Sequence, residues 1–323
     1  MNRSVLLIFL VSLFGCESGK KKDEDAPPTE VAKKKSKSFQ AVSLLGDTLY
    51  TPEYSPEQKS KLDSNLNVAD KNWQNDPSEI NTIWLGRRVA YTGRYRQAIE
   101  IFSEGLTRYP ESYKLLRHRG HRYISIREFD KAINDFKKAA DIMPKDRIEI
   151  EPDGIPNRMN TPLSSTQFNV WYHLGLAYYL KGDFEKAVRS YKECLKVSVN
   201  DDLQTATIDW LYMTYRRQGL MKEAEHQLKS IHENMAIIEN DSYFKRLKLY
   251  KGNIPVDSVL TVSDDSADID LALATQGYGV GNWYLYNADT TKAIEVFKKV
   301  IAGEHWSAFG YIAAEVDLAR LSQ

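Results

Sequence analysis

The feature that most constrains this chain is a repeat. Gly86, Ala98, Phe102 and Pro110 return as Gly120, Ala132, Phe136 and Pro144, each 34 positions on (86 to 120, 98 to 132, 102 to 136, 110 to 144). A period of 34 is the length of one helix–turn–helix unit. The residue types give their own reasons. Glycine and alanine sit where two helices approach closely, phenylalanine fills the space between units, and proline ends the second helix. One such hairpin cannot bury its own apolar face, so copies must stack. The fold class is therefore all-α, a right-handed α-solenoid of helical hairpins.

The two copies occupy 79–146. A third unit is marked by Trp171, Leu174-Gly175, Tyr178, Gly182, Phe184, Ala187 and Tyr191. Its glycine follows the second by 55 positions rather than 34 (120 to 175), which leaves an insertion over 147–167. The insertion contains Glu151-Pro152-Asp153-Gly154-Ile155-Pro156-Asn157, a composition that favours tight turns over helix. A fourth unit follows with Leu211, Tyr215, Gly219, Ala224 and Leu228, so units three and four span 168–238. A degenerate repeat with an acidic loop at 261–268 covers 239–272. Residues 273–323 supply a last unit around Trp283, Ala293 and Phe297, and a final helix from Trp306 to Leu321 expected to cap the array. Ahead of the array, 39–78 read as an extended arm at Leu44–Tyr50 and a capping helix. That helix opens at Ser55-Pro56-Glu57 and stops at Pro77.

The first 38 residues carry a different signal. Val5 to Phe14 is apolar but too short to span a bilayer, as in a secretory signal. Leu13-Phe14-Gly15-Cys16 resembles a bacterial lipoprotein box. The resemblance implies a signal peptide over 1–15, lipidation of Cys16, and a membrane anchor through that lipid. Residues 16–38, rich in Lys, Asp, Glu, Pro and Ser, read as a disordered tether. The expected location is the bacterial cell envelope, with Glu17 favouring the outer membrane. Cys194 is the only other cysteine and is expected to be a buried structural thiol. Lys plus Arg equals Asp plus Glu at 44 each, so charge points to no nucleic-acid partner. Nineteen tyrosines and six tryptophans suit helix–helix contacts.

From Trp84 onward the chain resembles the tetratricopeptide repeat (TPR) superfamily. More narrowly, Ile83-Trp84-Leu85-Gly86-Arg87-Arg88, Arg117-His118-Arg119-Gly120-His121-Arg122 and Glu151-Pro152-Asp153-Gly154 with Trp171-Tyr172-His173-Leu174-Gly175 resemble a group of bacterial repeat lipoproteins. The resemblance implies the fold and a binding or scaffolding role, and no activity.

In that superfamily the first helix of each unit lines the concave face. Here this implies a groove lined by Trp84, Arg87 and Tyr91 from the first unit, and by Lys114, Arg117, His118 and His121 from the second. The third unit adds Asn169, Tyr172, His173 and Tyr179, and the fourth Trp210, Arg216 and Arg217, with Asp209 as the lone acid. A basic, aromatic groove suits a carboxylate, a phosphate or an acidic peptide. The superfamily's clamp for C-terminal carboxylates does not carry over, because the corresponding places hold Ile83, Arg87, His118, Asn169 and His173. In the opposing reading, Arg87, Arg88, Arg119 and Arg122 pair with nearby acids and the histidines are merely packed.

A second function class starts from the histidines. His118 and His121 share a helix face. With His173 and a carboxylate of the insertion, Asp153 or Glu151, they make a metal-ligand set or a metal-dependent active site. No HExxH, paired cysteine, nucleophile elbow, phosphate loop or dinucleotide fingerprint supports an enzyme. Gly277-Tyr278-Gly279-Val280-Gly281 reads as a close helix crossing. The sequence thus favours a non-enzymatic interaction lipoprotein with no cofactor, holding a protein or peptide partner of the envelope, acidic in character.

Overall fold

The computed structural model describes residues 37–260 and 269–322. The signal peptide, Cys16, nearly all of the tether and the 261–268 loop lie outside the described residues. Among the described residues, no helix is long and apolar enough to cross a membrane.

The chain opens with a hairpin of β1 (Phe39–Val42) and β2 (Thr48–Tyr50), in which Val42 pairs with Thr48. The Leu44–Tyr50 segment is therefore turn and second strand, where a single arm was expected. Helix α1 (Pro56–Asn75) begins with a Ser55/Gln58 capping box and proline in its first turn. Five antiparallel pairs follow. They are α2 (Glu79–Tyr91) with α3 (Tyr95–Arg108), α4 (Tyr113–Ser125) with α5 (Phe129–Ile142), α6 (Thr166–Lys181) with α7 (Phe184–Lys196), α8 (Asp201–Arg217) with α9 (Met221–Gln227), and the short α10 (Asp241–Tyr250) with α11 (Val256–Leu260). Then come α12 (Ile269–Tyr286), α13 (Thr290–Ile301) and α14 (Phe309–Leu321). Serine, asparagine or aspartate side chains cap the N-termini of α4, α6, α7, α8 and α13.

The period has a direct packing cause. A Cβ added at Gly86, Gly120, Gly175 or Gly281 would run into the ring of Phe102, Phe136, Tyr191 or Phe297, sixteen residues later in each case. Each glycine lets the second helix of its unit press an aromatic ring onto the first. All four rings are essentially fully buried. Truncating one such phenylalanine to alanine costs about 3–5 kcal/mol. Gly277 and Gly279 sit inside α12 against Val300 and Arg246, as a helix crossing requires.

The last helix departs from the expected end cap. It starts at Phe309, and Trp306 lies in the turn before it. It packs on α12, α13 and α6, and the turn reaches the first repeat. The Trp306 indole N–H donates to the Tyr50 carbonyl at 3.0 Å, its ring meets Tyr95 edge-on at 5.3 Å, and Tyr95 Oη bonds Ser307 at 2.8 Å. Arg127, in the α4–α5 turn, forms a buried ion pair with Glu315 at 2.6 Å, and Glu315 also accepts the Leu44 amide at 2.8 Å. The C-terminal segment thus lies along the inner side of units one to three, where an open groove was expected.

Candidate functional site

The insertion forms a strap over the other part of that inner side. Its base is pinched by an Ile150–Ser165 bridge and by Gln167, which bonds Pro144, Arg147 and Glu149. From there its acids and carbonyls meet the bases of α2 and α4. Glu149 accepts from Tyr113 at 2.5 Å and pairs with Lys114 at 3.3 Å. Glu151 pairs with Arg117 at 3.0 Å and accepts from Asn169 at 3.2 Å. Arg87 donates to the Pro152 carbonyl and Arg88 to that of Gly154, each at 2.9 Å. Gly154 lies so close to Tyr91 that a Cβ there would strike the phenol oxygen. The strap's far end crosses to the 237–239 segment, through Arg158 to the Ile237 carbonyl and Asn157 to Glu239.

Beneath the strap, Arg87, Tyr91, Arg117, His118, His121 and Arg122 line a cavity of about 90 Å³. Trp84 braces it from outside, with Arg87 and Arg88 over its ring at 4.5 and 5.0 Å. His118 Nδ1 lies 3.0 Å from Arg117 Nη1, which can only donate, so this histidine is neutral with its proton on Nε2. His173 Nδ1 lies 2.5 Å from the Asn169 carbonyl and must carry the proton there. Its ring stacks on Phe136 and stands 4.6 Å from His121, and Phe309 packs against both. Burial first, then neighbouring arginines, hold His118, His121 and His173 well below the ordinary histidine range. The cationic character of the cavity wall therefore comes from arginine alone.

The structure brings Trp84, Arg87, Tyr91, Arg117, His118 and His121 to one place, with His173 behind them. Tyr172 lies behind His173, whose ring it meets edge-on at 5.5 Å, and is buried against Phe168 and Tyr243 outside the cavity wall. The structure separates Arg216, which stacks on Tyr286 and bonds Tyr212 and Asn287. Asp209, expected in the groove, is fully buried and held two-pronged by Arg246. Arg217 is likewise paired, with Asp317 at 2.8 Å. A continuous groove from Trp84 to Arg217 is thus corrected to a smaller chamber over units one and two. The metal reading is corrected as well. Among the described residues no three His, Cys, Asp or Glu side chains converge as ligands: His118 Nε2 stays 3.9 Å from Glu151, and the His118 and His173 rings lie on Phe102 and Phe136. Asp153 is held at the strap, with Oδ2 buried and unbonded, and burial raises its pKa.

Arg122 is the residue that sequence reasoning missed. Arg119 does pair with Asp135, two-pronged at 2.7 and 2.8 Å. Arg122 has no hydrogen-bond acceptor among the described residues and leans on the Tyr95 ring at 5.4 Å. Its place four residues after His118 puts it on the same helix face, which was the available signal. Cys194 is buried against Thr207, and its thiol is pushed up to about 12, as an inert structural residue.

The tetratricopeptide repeat model matches residues 168–201, the third unit. A Bos taurus protein described as BBSome complex member BBS4 is 23% identical over 129 residues, 40% of this chain and 21% of that one. The matched stretch therefore spans about a fifth of that relative. Among solved structures, a tetratricopeptide repeat protein from Parabacteroides merdae is 15% identical, covering 80% of this chain and 94% of that chain, with TM-score 0.46. YrrB, described as a TPR protein with an unusual peptide-binding site, is 16% identical over 72% of this chain and 91% of its own, with TM-score 0.39.

Proposed function

Since the chain is a tetratricopeptide-repeat protein, we propose that it is a lipid-anchored interaction scaffold of the cell envelope. In this reading its inner face over units one and two holds an acidic segment of a protein or peptide partner. The observation that carries this is intramolecular. The chain's own stretch Glu149–Gly154 lies there with two carboxylates and two carbonyls on Lys114, Arg117, Arg87 and Arg88. That is the pattern an acidic peptide would make with the same bases. Arginines on low-dielectric walls strengthen the field such a segment meets. The anchor at Cys16 belongs to the same proposal and would keep the scaffold at the outer membrane.

The test uses the full chain in detergent and a labelled Glu-Ile-Glu-Pro-Asp-Gly peptide, followed by fluorescence anisotropy. Glu151→Gln/Asp153→Asn keeps the strap's shape and removes two of its three carboxylate charges, leaving Glu149 on Lys114. The double variant, with its circular dichroism unchanged, is expected to bind the peptide about tenfold more tightly than wild type, roughly 1.4 kcal/mol. Equal binding of a Lys-Ile-Lys-Pro-Lys-Gly peptide, or no binding by either protein, would end the proposal.

A further inference from the structure

We infer that the N-terminal hairpin is a membrane-contact element, its outward face and tip seated in the interfacial layer of a lipid bilayer. The inference rests on the lipid-anchor reading for what brings a bilayer near. Five large apolar side chains, Phe39, Val42, Leu44, Leu45 and Tyr50, fall within 39–50, and each is 39–51% exposed. The strand register explains how they come together. Ala41 pairs with Leu49 and both are buried, so that pair faces the protein. Val42 opposite Thr48 and Phe39 opposite Tyr50 face outward, because the bulge between Phe39 and Ala41 turns Phe39 to the side of Val42. Leu44 and Leu45 stand at the tip.

The turn that carries the leucines is pinned. The Ser43 amide donates to the Asp47 carbonyl at 2.8 Å and the Gly46 amide to the Ser43 carbonyl at 3.1 Å, with Gly46 at φ +96. The Leu44 amide donates to the buried Glu315 carboxylate at 2.8 Å. The leucines are thus held out in water, and an exposed apolar patch of this kind marks a contact surface. Its surroundings fit a bilayer. Cys16 lies 21 positions before Lys37 (16 to 37). A coil of that length averages about 25 Å end to end. A lipid on Cys16 would therefore bring the hairpin, the first of the described elements, to the bilayer surface. Phe39 and Tyr50 are rings of the kind that settle at headgroup level. The exposed Arg96 guanidinium lies over the Phe39 ring at 4.8 Å, a cation beside apolar surface, as anionic headgroups favour. Asp47 is the one charged residue of the hairpin and keeps the contact shallow.

The experiment uses the full chain from a bacterial host, reconstituted in vesicles of phosphatidylethanolamine and phosphatidylglycerol. Leu45→Cys carries a nitrobenzoxadiazole label, Val68→Cys on the exposed side of α1 carries the control label, and Cys194 is buried. In vesicles the label at 45 is expected to shift to the blue and to be quenched at least threefold by lipids spin-labelled near the headgroup, while the label at 68 is not. Val42→Ser/Leu44→Ser, with circular dichroism unchanged, should cut that quenching at least threefold. An equal response of the two labels, quenched or not, overturns the inference. So does a blue shift that needs no vesicles and grows with protein concentration, which would assign the face to a second copy of the chain. Intact mass reports on Cys16 separately. If Cys16 is acylated and position 45 is not quenched, the hairpin inference falls alone. If Cys16 carries no acyl group, the anchor reading falls. Quenching at position 45 in a Cys16→Ser chain would then sustain the hairpin contact, and its absence would end it.

Discussion

Arg127 offers a quantitative test of what ties the C-terminal segment down. It sits in the α4–α5 turn with φ +68, one period after Gly93, and the equivalent turns hold Gly93, Gly182 and Gly219 at φ +76, +81 and +74. A side chain in this left-handed region costs about 1–2 kcal/mol that glycine does not. The contacts that offset it are unusually complete. The guanidinium meets Glu315 at 3.1 and 2.6 Å, the Ser125 carbonyl at 2.6 Å and the Trp306 carbonyl at 2.8 Å. The pair's side chains are 3% and 1% exposed. Arg127→Gly relieves the backbone but leaves Glu315 buried with the Leu44 amide as its remaining donor. Stranding one partner of such a pair costs about 3–5 kcal/mol, so the net loss is about 1–4 kcal/mol. Glu315→Leu strands the arginine with a similar loss. The double variant strands neither charge and is expected within about 1 kcal/mol of wild type. Urea unfolding of all four proteins closes the cycle. If Arg127→Gly proves as stable as wild type, the turn strain outweighs the pair, and the ion pair is not what holds the segment.

Three further outcomes are expected. The folded state holds His118, His121 and His173 neutral while the unfolded chain protonates them near 6.5. The unfolded state thus takes up protons first on acidification, and stability falls below that pH by up to about 4 kcal/mol per unit for the three together. Urea midpoints between pH 8 and 5 check this, and a midpoint that rises on acidification refutes it. Gly154→Ala drives a methyl into Tyr91, so the strap should lift, with about 1–3 kcal/mol lost and faster proteolysis within 147–165; unchanged cleavage would mean the strap is not seated there. Asp209→Ala leaves Arg246 buried and unpaired between Trp210 and Tyr243, and should cost about 3–5 kcal/mol in the same unfolding assay. A loss under about 1 kcal/mol would show that water reaches the guanidinium.

The repeat was legible because its cause is local. Gly86 and Phe102, or Gly120 and Phe136, lie sixteen residues apart and impose the same contact in each unit, so they recur at one period. The strap was legible as turns, since Pro152, Gly154 and Pro156 forbid helix, but not as an occupant of the groove. Nothing in the spacing of Glu151 says that it meets Arg117. The folding back of α14 was hidden for the same reason, because Arg127 and Glu315 are 188 residues apart and share no pattern. One clue stood in plain view. Position 127 falls 34 after Gly93, and an arginine where the turn favours glycine marks a side chain needed for something distant. Arg122 was misjudged because sequence cannot show which of several neighbouring arginines finds an acid; Arg119 reaches Asp135 and Arg122 does not.

An ordinary stack of hairpins grows or shrinks by whole units, since each touches only the next. Here the turn at Trp306 is stitched to Tyr50 and Tyr95, so the stack admits no added unit between them without tearing that seam.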